Sequence, residues 1–414
     1  MKNYFNKLRE ILKGQSILYF LLLTISALFT FKIALSALFS HNNKVAVDWV
    51  MMCLIALFVL SLILQSLLLQ KRCYPLYVFR VLIVILFAFQ LTGMIYNNTI
   101  REQYRDFGES YCEENDLFRF RLKKNLHNAW YGQTYRNDTL FKICFSIDSL
   151  SCRIPDDEFM EEYLKNSNHP DKHALFLGCS FTFGNGLTYS STFPYLFEEL
   201  NSDYKSYNYG IPGCGPSQIA LLFDHRANVI KKESIKESDG FALYTYIDDH
   251  LNRVYGGSNF FRWSHSTLPP NIYVENDSLV LKKWSKAYLL YVNGLNRIAL
   301  LRLFDIEINY PKTESFYKRF ASIINYTAKK YWKLKPGNHF YVSVYPGYGM
   351  DLKWTQYLDE KIVVLLVEPP SDYDDKIKYQ VHPPYEFHPS KALNLYYVEE
   401  LTRLINEYEL QIKD

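Results

Sequence analysis

A serine stands between two glycines in Gly178-Cys179-Ser180-Phe181-Thr182-Phe183-Gly184, directly after the apolar run of residues 174–177. A short, continuously apolar run reads as a buried parallel strand, and the glycines permit a tight turn that leaves the hydroxyl at the strand's C-terminal edge. Ligands of open α/β sheets bind at that edge. Ser180 is therefore either a nucleophile for acyl chemistry or the cap of the helix that follows.

The elements that must position this serine can be read downstream. Residues 204–209 form a second strand-like run that enters Gly210-Ile211-Pro212-Gly213-Cys214-Gly215, with a helix expected from about Pro216, since proline suits a first helical turn. Residues 240–247 form a third run, ending in Asp248-Asp249-His250 with Arg253 just beyond. Phe316, Phe320, Ile323, Ile324, Thr327 and Tyr331 fall at helical spacing, which gives an amphipathic helix over about 313–333. Strands at 339–345 and 361–367 complete a parallel sheet of about five strands. Glu386-Phe387-His388-Pro389-Ser390 then precedes a last helix over about 391–408.

Taken in order, these stretches resemble the motif blocks of the SGNH/GDSL hydrolase family, in its membrane-anchored bacterial subgroup. Gly178, Ser180 and Gly184 match the family's first block, Gly-Asp-Ser-x-(Thr)-x-Gly, with Cys179 in the Asp position. The resemblance covers about residues 115–410 and implies a flavodoxin-like three-layer αβα domain over 171–414. It implies Ser180 as nucleophile and, through its N–H, as one oxyanion donor. Gly213 is the loop glycine expected to donate a second N–H, with Gly210 the next choice.

The family's third block carries an Asn whose amide is a further oxyanion donor, and this chain has Asp248 there. An ionised carboxylate cannot donate a hydrogen bond. Either Asp248 is protonated, or Asn252, Arg253 or His250 serves instead, or turnover is low. Cys179, Asp249, His250 and Arg253 are expected to line the site, although His250 and Arg253 read equally as a surface salt-bridge turn. The last block implies His388 as general base and Glu386 as the carboxylate that orients it, with Tyr385 in that place under a longer spacing.

The first hundred residues carry a different signal. Three apolar runs, about 17–39, 46–69 and 75–96, are each long enough for a hydrocarbon core that needs about 20 residues. The first exceeds a signal-peptide core and two more follow it, so three retained transmembrane helices are expected in 1–96. Lys2, Lys7, Arg9 and Lys13 precede the first run and Lys71 and Arg72 separate the second from the third. The positive-inside rule then places everything after about residue 96 outside the cytoplasmic (inner) membrane. Residues 97–170 read as a linker and a small β-rich annex, and a Cys144–Cys152 bridge is open there in an oxidising compartment. A net charge of +3 gives no case for nucleic acid, and no zinc-type spacing or phosphate loop is present.

Three functions fit these residues, all without metal or cofactor. The first is a membrane-anchored serine esterase acting on O-acyl groups of an envelope glycan or lipid. The second is an O-acyltransferase onto such a glycan, supplied by a partner among envelope-biosynthesis proteins. The third is a non-catalytic glycan-binding or assembly protein that keeps the fold, for which Cys179, Asp248 and Glu386 speak.

Overall fold

The computed structural model describes Ile85 and residues 104–412, apart from 111, 136–137, 167–169, 228, 258–267, 298–311 and 383–385. The three apolar runs expected to span a membrane lie outside the described residues, and among the described residues no helix is long and apolar enough to cross one. The chain divides into two units, Met1–Glu102 with Trp284–Ile308 and Gln103–Lys283 with Asn309–Asp414.

The second unit opens with strands β1 (Tyr104–Gly108), β2 (Cys112–Asn115), β3 (Arg119–Leu122), β4 (Leu126–Tyr135), β5 (Asp138–Ile147) and β6 (Arg153–Ile154), then helix α1 (Asp157–Asn166). An alternation of strand and helix follows: β7 (Lys172–Gly178), α2 (Ser180–Phe183), α3 (Phe193–Leu200), β8 (Tyr204–Gly210), α4 (Pro216–Leu222), β9 (Asp239–Tyr246) and α5 (Asp249–Tyr255). After a hairpin of β10 (Ile272–Glu275) and β11 (Ser278–Leu281) comes α6 (Lys286–Arg297), which belongs to the first unit. The remainder is α7 (Glu314–Leu334), β12 (His339–Val344), β13 (Ile362–Leu366), α8 (Lys376–Tyr379), β14 (Gln380–His382), β15 (Glu386–Pro389) and α9 (Lys391–Gln411).

Five strands pair in parallel in the order β8-β7-β9-β12-β13. In chain order this is 2-1-3-4-5, the flavodoxin-like arrangement, which puts its ligand crevice at the C-terminal ends of the first and third strands. The layers follow from the period of two along a strand. In β7, Leu175 and Leu177 point into a core shared with Phe320, Ile323, Ile324 and Tyr331 of α7. Ala174 and Phe176 point the other way, into a core with Phe193 and Phe197 of α3 and Tyr397, Val398 and Leu401 of α9. Truncating a fully buried phenylalanine such as Phe176 or Phe320 would cost about 3–5 kcal/mol.

Three expectations are corrected. The sheet has nine strands rather than about five, because β1, β4, β5 and β6 extend it beyond β8 with antiparallel pairing. The annex is thus continuous with the hydrolase-like sheet, joined where Arg153 of β6 faces Asn208 of β8. The polar opening of the segment read as linker and annex contributes β1 and β2. Cys144 and Cys152 are both free thiols. Phe145 and Ile147 of β5 share a core with Cys152, whereas Cys144, one residue out of phase with them, stands on the opposite face.

Candidate active site

Strand β7 runs straight into the serine turn. Ser180 is the first residue of α2, and Cys179 before it is the N-cap, with no side-chain cap bond. The turn is compact because of what surrounds it. A Cβ on Gly210 would fall 2.2 Å from the Phe183 nitrogen, so the end of β8 and the backbone of α2 meet only because that residue is glycine. The Ile211 N–H donates to the Gly178 carbonyl at 3.0 Å, tying the loop after β8 to the end of β7. In that loop Gly213 adopts φ +76°, a conformation that favours glycine. Among the described residues, neither the Ser180 nor the Gly213 N–H donates to another backbone group outside the regular ladders.

The C-terminal motif arrives at the same place. The His388 ring lies 5.6 Å, centroid to centroid, from the ring of Phe181, the neighbour of the serine. Its Nδ1 is 3.5 Å from the side-chain nitrogen of Asn185, and Asn185 is only 5% exposed. The Asn185 N–H in turn donates to the Ser180 carbonyl at 3.0 Å. Ser390 anchors the motif from behind, its hydroxyl donating to the Lys378 carbonyl at 2.6 Å while capping α9. Glu386 heads β15, and its side chain lies outside the described residues, as does Tyr385.

The side chains of the third block are engaged in structural contacts. Asp248 accepts backbone N–H groups of Gly349 (3.0 Å), Met350 (3.2 Å) and Asp351 (3.4 Å), and the Tyr246 hydroxyl at 3.2 Å. Its carboxylate is a tether for the loop at 349–351, and the position that the resemblance gives to an oxyanion donor holds an acceptor already engaged. His250 is fully buried, with Nδ1 2.7 Å from the Tyr244 hydroxyl and the rings of Tyr244 and Tyr246 around it. Burial and the Arg253 charge push its pKa far down, so it is a neutral core histidine and not a surface residue.

Arg253 is also buried rather than a surface residue. It pairs with Asp249 at 2.7 Å and donates to the Cys214 carbonyl at 2.9 Å. Burial alone would lower its pKa, but the Asp249 charge and hydrogen bonds to Asp249 and Cys179 hold it above the ordinary value. Asp249 and Arg253 thus fix the residue after Gly213 and bear on Cys179, which is 1% exposed. Among the described residues no group of three or more His, Cys, Asp or Glu side chains could hold a metal ion.

The sequence reading missed Asn185, although an asparagine flanked by two glycines, Gly184 and Gly186, was a visible turn signal, and both glycines adopt positive φ. It also missed Arg153, which reaches the serine turn from the annex.

No family model matches this chain, and no curated protein does. Among solved structures it is similar to an acetyl xylan esterase, Est2A, from the rumen bacterium Butyrivibrio proteoclasticus, at 12% identity over 58% of this chain and 66% of that one, TM-score 0.35. It is similar to a family two carbohydrate esterase from Clostridium thermocellum at 11% identity, 58% and 66%, TM-score 0.34. A third is a lipolytic protein of the G-D-S-L family from Veillonella parvula, at 11% identity, 57% and 98%, TM-score 0.31. The chain spans just under two thirds of the length of the first two. At these identities and TM-scores the reading of the site rests on its own strand order and geometry.

Proposed function

We propose that this chain is a serine ester hydrolase of the SGNH/GDSL type, with Ser180 as nucleophile and His388 as general base. The observation that carries the reading is the meeting of two distant motifs: Phe181 of α2, which starts at Ser180, and Asn185 just beyond its cap lie against His388 at the carboxyl edge of a 2-1-3-4-5 sheet. In the proposed step Ser180 Oγ attacks the acyl carbonyl carbon while His388 takes the hydroxyl proton, and the tetrahedral oxyanion receives the N–H groups of Ser180 and Gly213. His388 then returns the proton to the leaving alcohol, and water releases the acid by the same steps in reverse roles. Glu386 is proposed to hold the imidazolium.

The proposed substrate is an O-acylated glycan or lipid of the envelope, met by a domain outside the cytoplasmic membrane on a three-helix anchor. The acetyl xylan named for one similar protein makes acetylated polysaccharide the first substrate class to test. The purified protein should release acetate from such polymers and from small aryl acetates, and Ser180→Ala should abolish both. Turnover equal to wild type in that variant would refute the nucleophile. Acylated acceptor in place of free acid, with a glycan hydroxyl present, would convert the reading to acyl transfer.

A further inference from the structure

We infer that Arg153, contributed by the annex strand β6, is a positioning residue for the serine turn, an inference that rests on the reading of Ser180 as nucleophile. Its side chain is buried, at 1% exposure. Nη1 donates to the Phe183 carbonyl at 2.6 Å and the Gly184 carbonyl at 2.8 Å, and Nη2 donates to the Leu187 carbonyl at 2.6 Å. The guanidinium also lies over the Phe183 ring, 4.6 Å from its centroid.

These three carbonyls have a particular place. Phe183 ends α2, and Gly184 is its left-handed cap with φ +82°. The last carbonyls of a helix have no partner within it. In a helix of one turn the Phe183 carbonyl would be left to water, and here that residue is buried, while the Gly184 carbonyl also accepts the Leu187 N–H at 3.1 Å. A guanidinium presents several N–H groups in a rigid planar fork, so one side chain can hold carbonyls on both sides of a bend. Asn185 sits inside that bend, between Gly184 and Leu187, and links Ser180, through its N–H, to His388, through its side chain. Asn208 of β8, the register partner of Arg153, adds a weaker donor to the Phe183 carbonyl at 3.4 Å. The annex therefore inserts a cation beneath the segment that sets the spacing of nucleophile and base. None of the motif blocks contains Arg153, so a core truncated to 171–414 would lack this support.

The test uses the full chain with Arg153→Lys, Arg153→Gln and Arg153→Ala. Displacements near 1 Å at a reacting group can cost about a hundredfold in rate. The Lys variant should keep its fold and lose about tenfold or more in kcat on a small aryl ester, with KM within about twofold, and the Gln and Ala variants should lose more. Hydrogen exchange at the amides of residues 184–187 should accelerate in all three while β7 and β9 stay protected. Wild-type kcat and exchange in Arg153→Lys and Arg153→Ala would overturn the role, and so would global unfolding of all three, which would make Arg153 a general core residue. If the wild type turned over no ester, the esterase reading would fail, and the exchange measurement would still decide whether Arg153 holds the turn.

Discussion

Replacing Asp248 by asparagine sets the motif resemblance against the structure. The resemblance makes Asp248→Asn a restoration of a missing oxyanion amide, and restoring such a donor should raise kcat by about 10²-fold, the amount that removing one costs. The structure gives the opposite sign. One carboxylate oxygen accepts from the Gly349 and Met350 N–H groups, and the other from the Asp351 N–H and the Tyr246 hydroxyl. An amide has a single acceptor oxygen. If it faces Gly349 and Met350, its NH₂ opposes the Asp351 N–H, and if it turns round it opposes two N–H groups. Losing one or two charge-assisted bonds at a half-buried site costs about 1–3 kcal/mol. That amounts to roughly 2–10 °C in melting temperature for a domain of this size. The same loop carries Tyr348, whose ring lies 5.4 Å from Phe181, so loosening it should lower kcat. Thermal unfolding and aryl-acetate kinetics on wild type and variant are sufficient. A kcat raised tenfold or more with unchanged stability would refute the tether.

Gly210→Ala places a methyl 2.2 Å from the Phe183 nitrogen and 2.7 Å from the Thr182 carbonyl carbon, both backbone atoms that cannot swing away. Denaturation should show a loss of about 1–3 kcal/mol with a disproportionate fall in kcat, and wild-type kcat would contradict the close approach. Glu198 gives a pH dependence: burial raises its pKa from 4.5 to about 7, and burial lowers that of Lys205, 3.4 Å away. The folded state then holds this proton more tightly than the unfolded chain. The contribution is full below about pH 4.5 and lost as pH rises through about 7, about 3 kcal/mol in all. Urea unfolding of Glu198→Gln from pH 4.5 to 8 should lack that decline, and an unchanged slope would exclude Glu198 as its source.

The parallel core was legible because its signals are local. The apolar run before Gly178, the glycine loop at 210–215 and the period of residues 316–331 each specify one element, and β7, β8 and α7 formed where those signals lie. The annex was harder, since β1 and β2 lie in a polar stretch without an apolar run, and β1 pairs with β4 about thirty residues on, although β2 pairs locally with β3. The roles of Asp248, His250 and Arg253 were beyond local reading. A carboxylate that tethers residues a hundred positions away, or a histidine enclosed by Tyr244 and Tyr246, has the same sequence signature as a site residue. Arg153 carries no motif at all, and only the β6–β8 junction brings it beneath the serine turn.

The central claim is that Ser180 is a nucleophile activated by His388, and a fluorophosphonate tests it on the intact protein. The reagent phosphonylates a serine only when a base removes its proton and the oxyanion is held. Peptide mapping by mass spectrometry should find the adduct on Ser180 in wild type, none in Ser180→Ala, and at most a trace in His388→Gln, with all three proteins equally folded. Absence of any adduct on folded wild type, or equal labelling of Ser180 in His388→Gln, would contradict it.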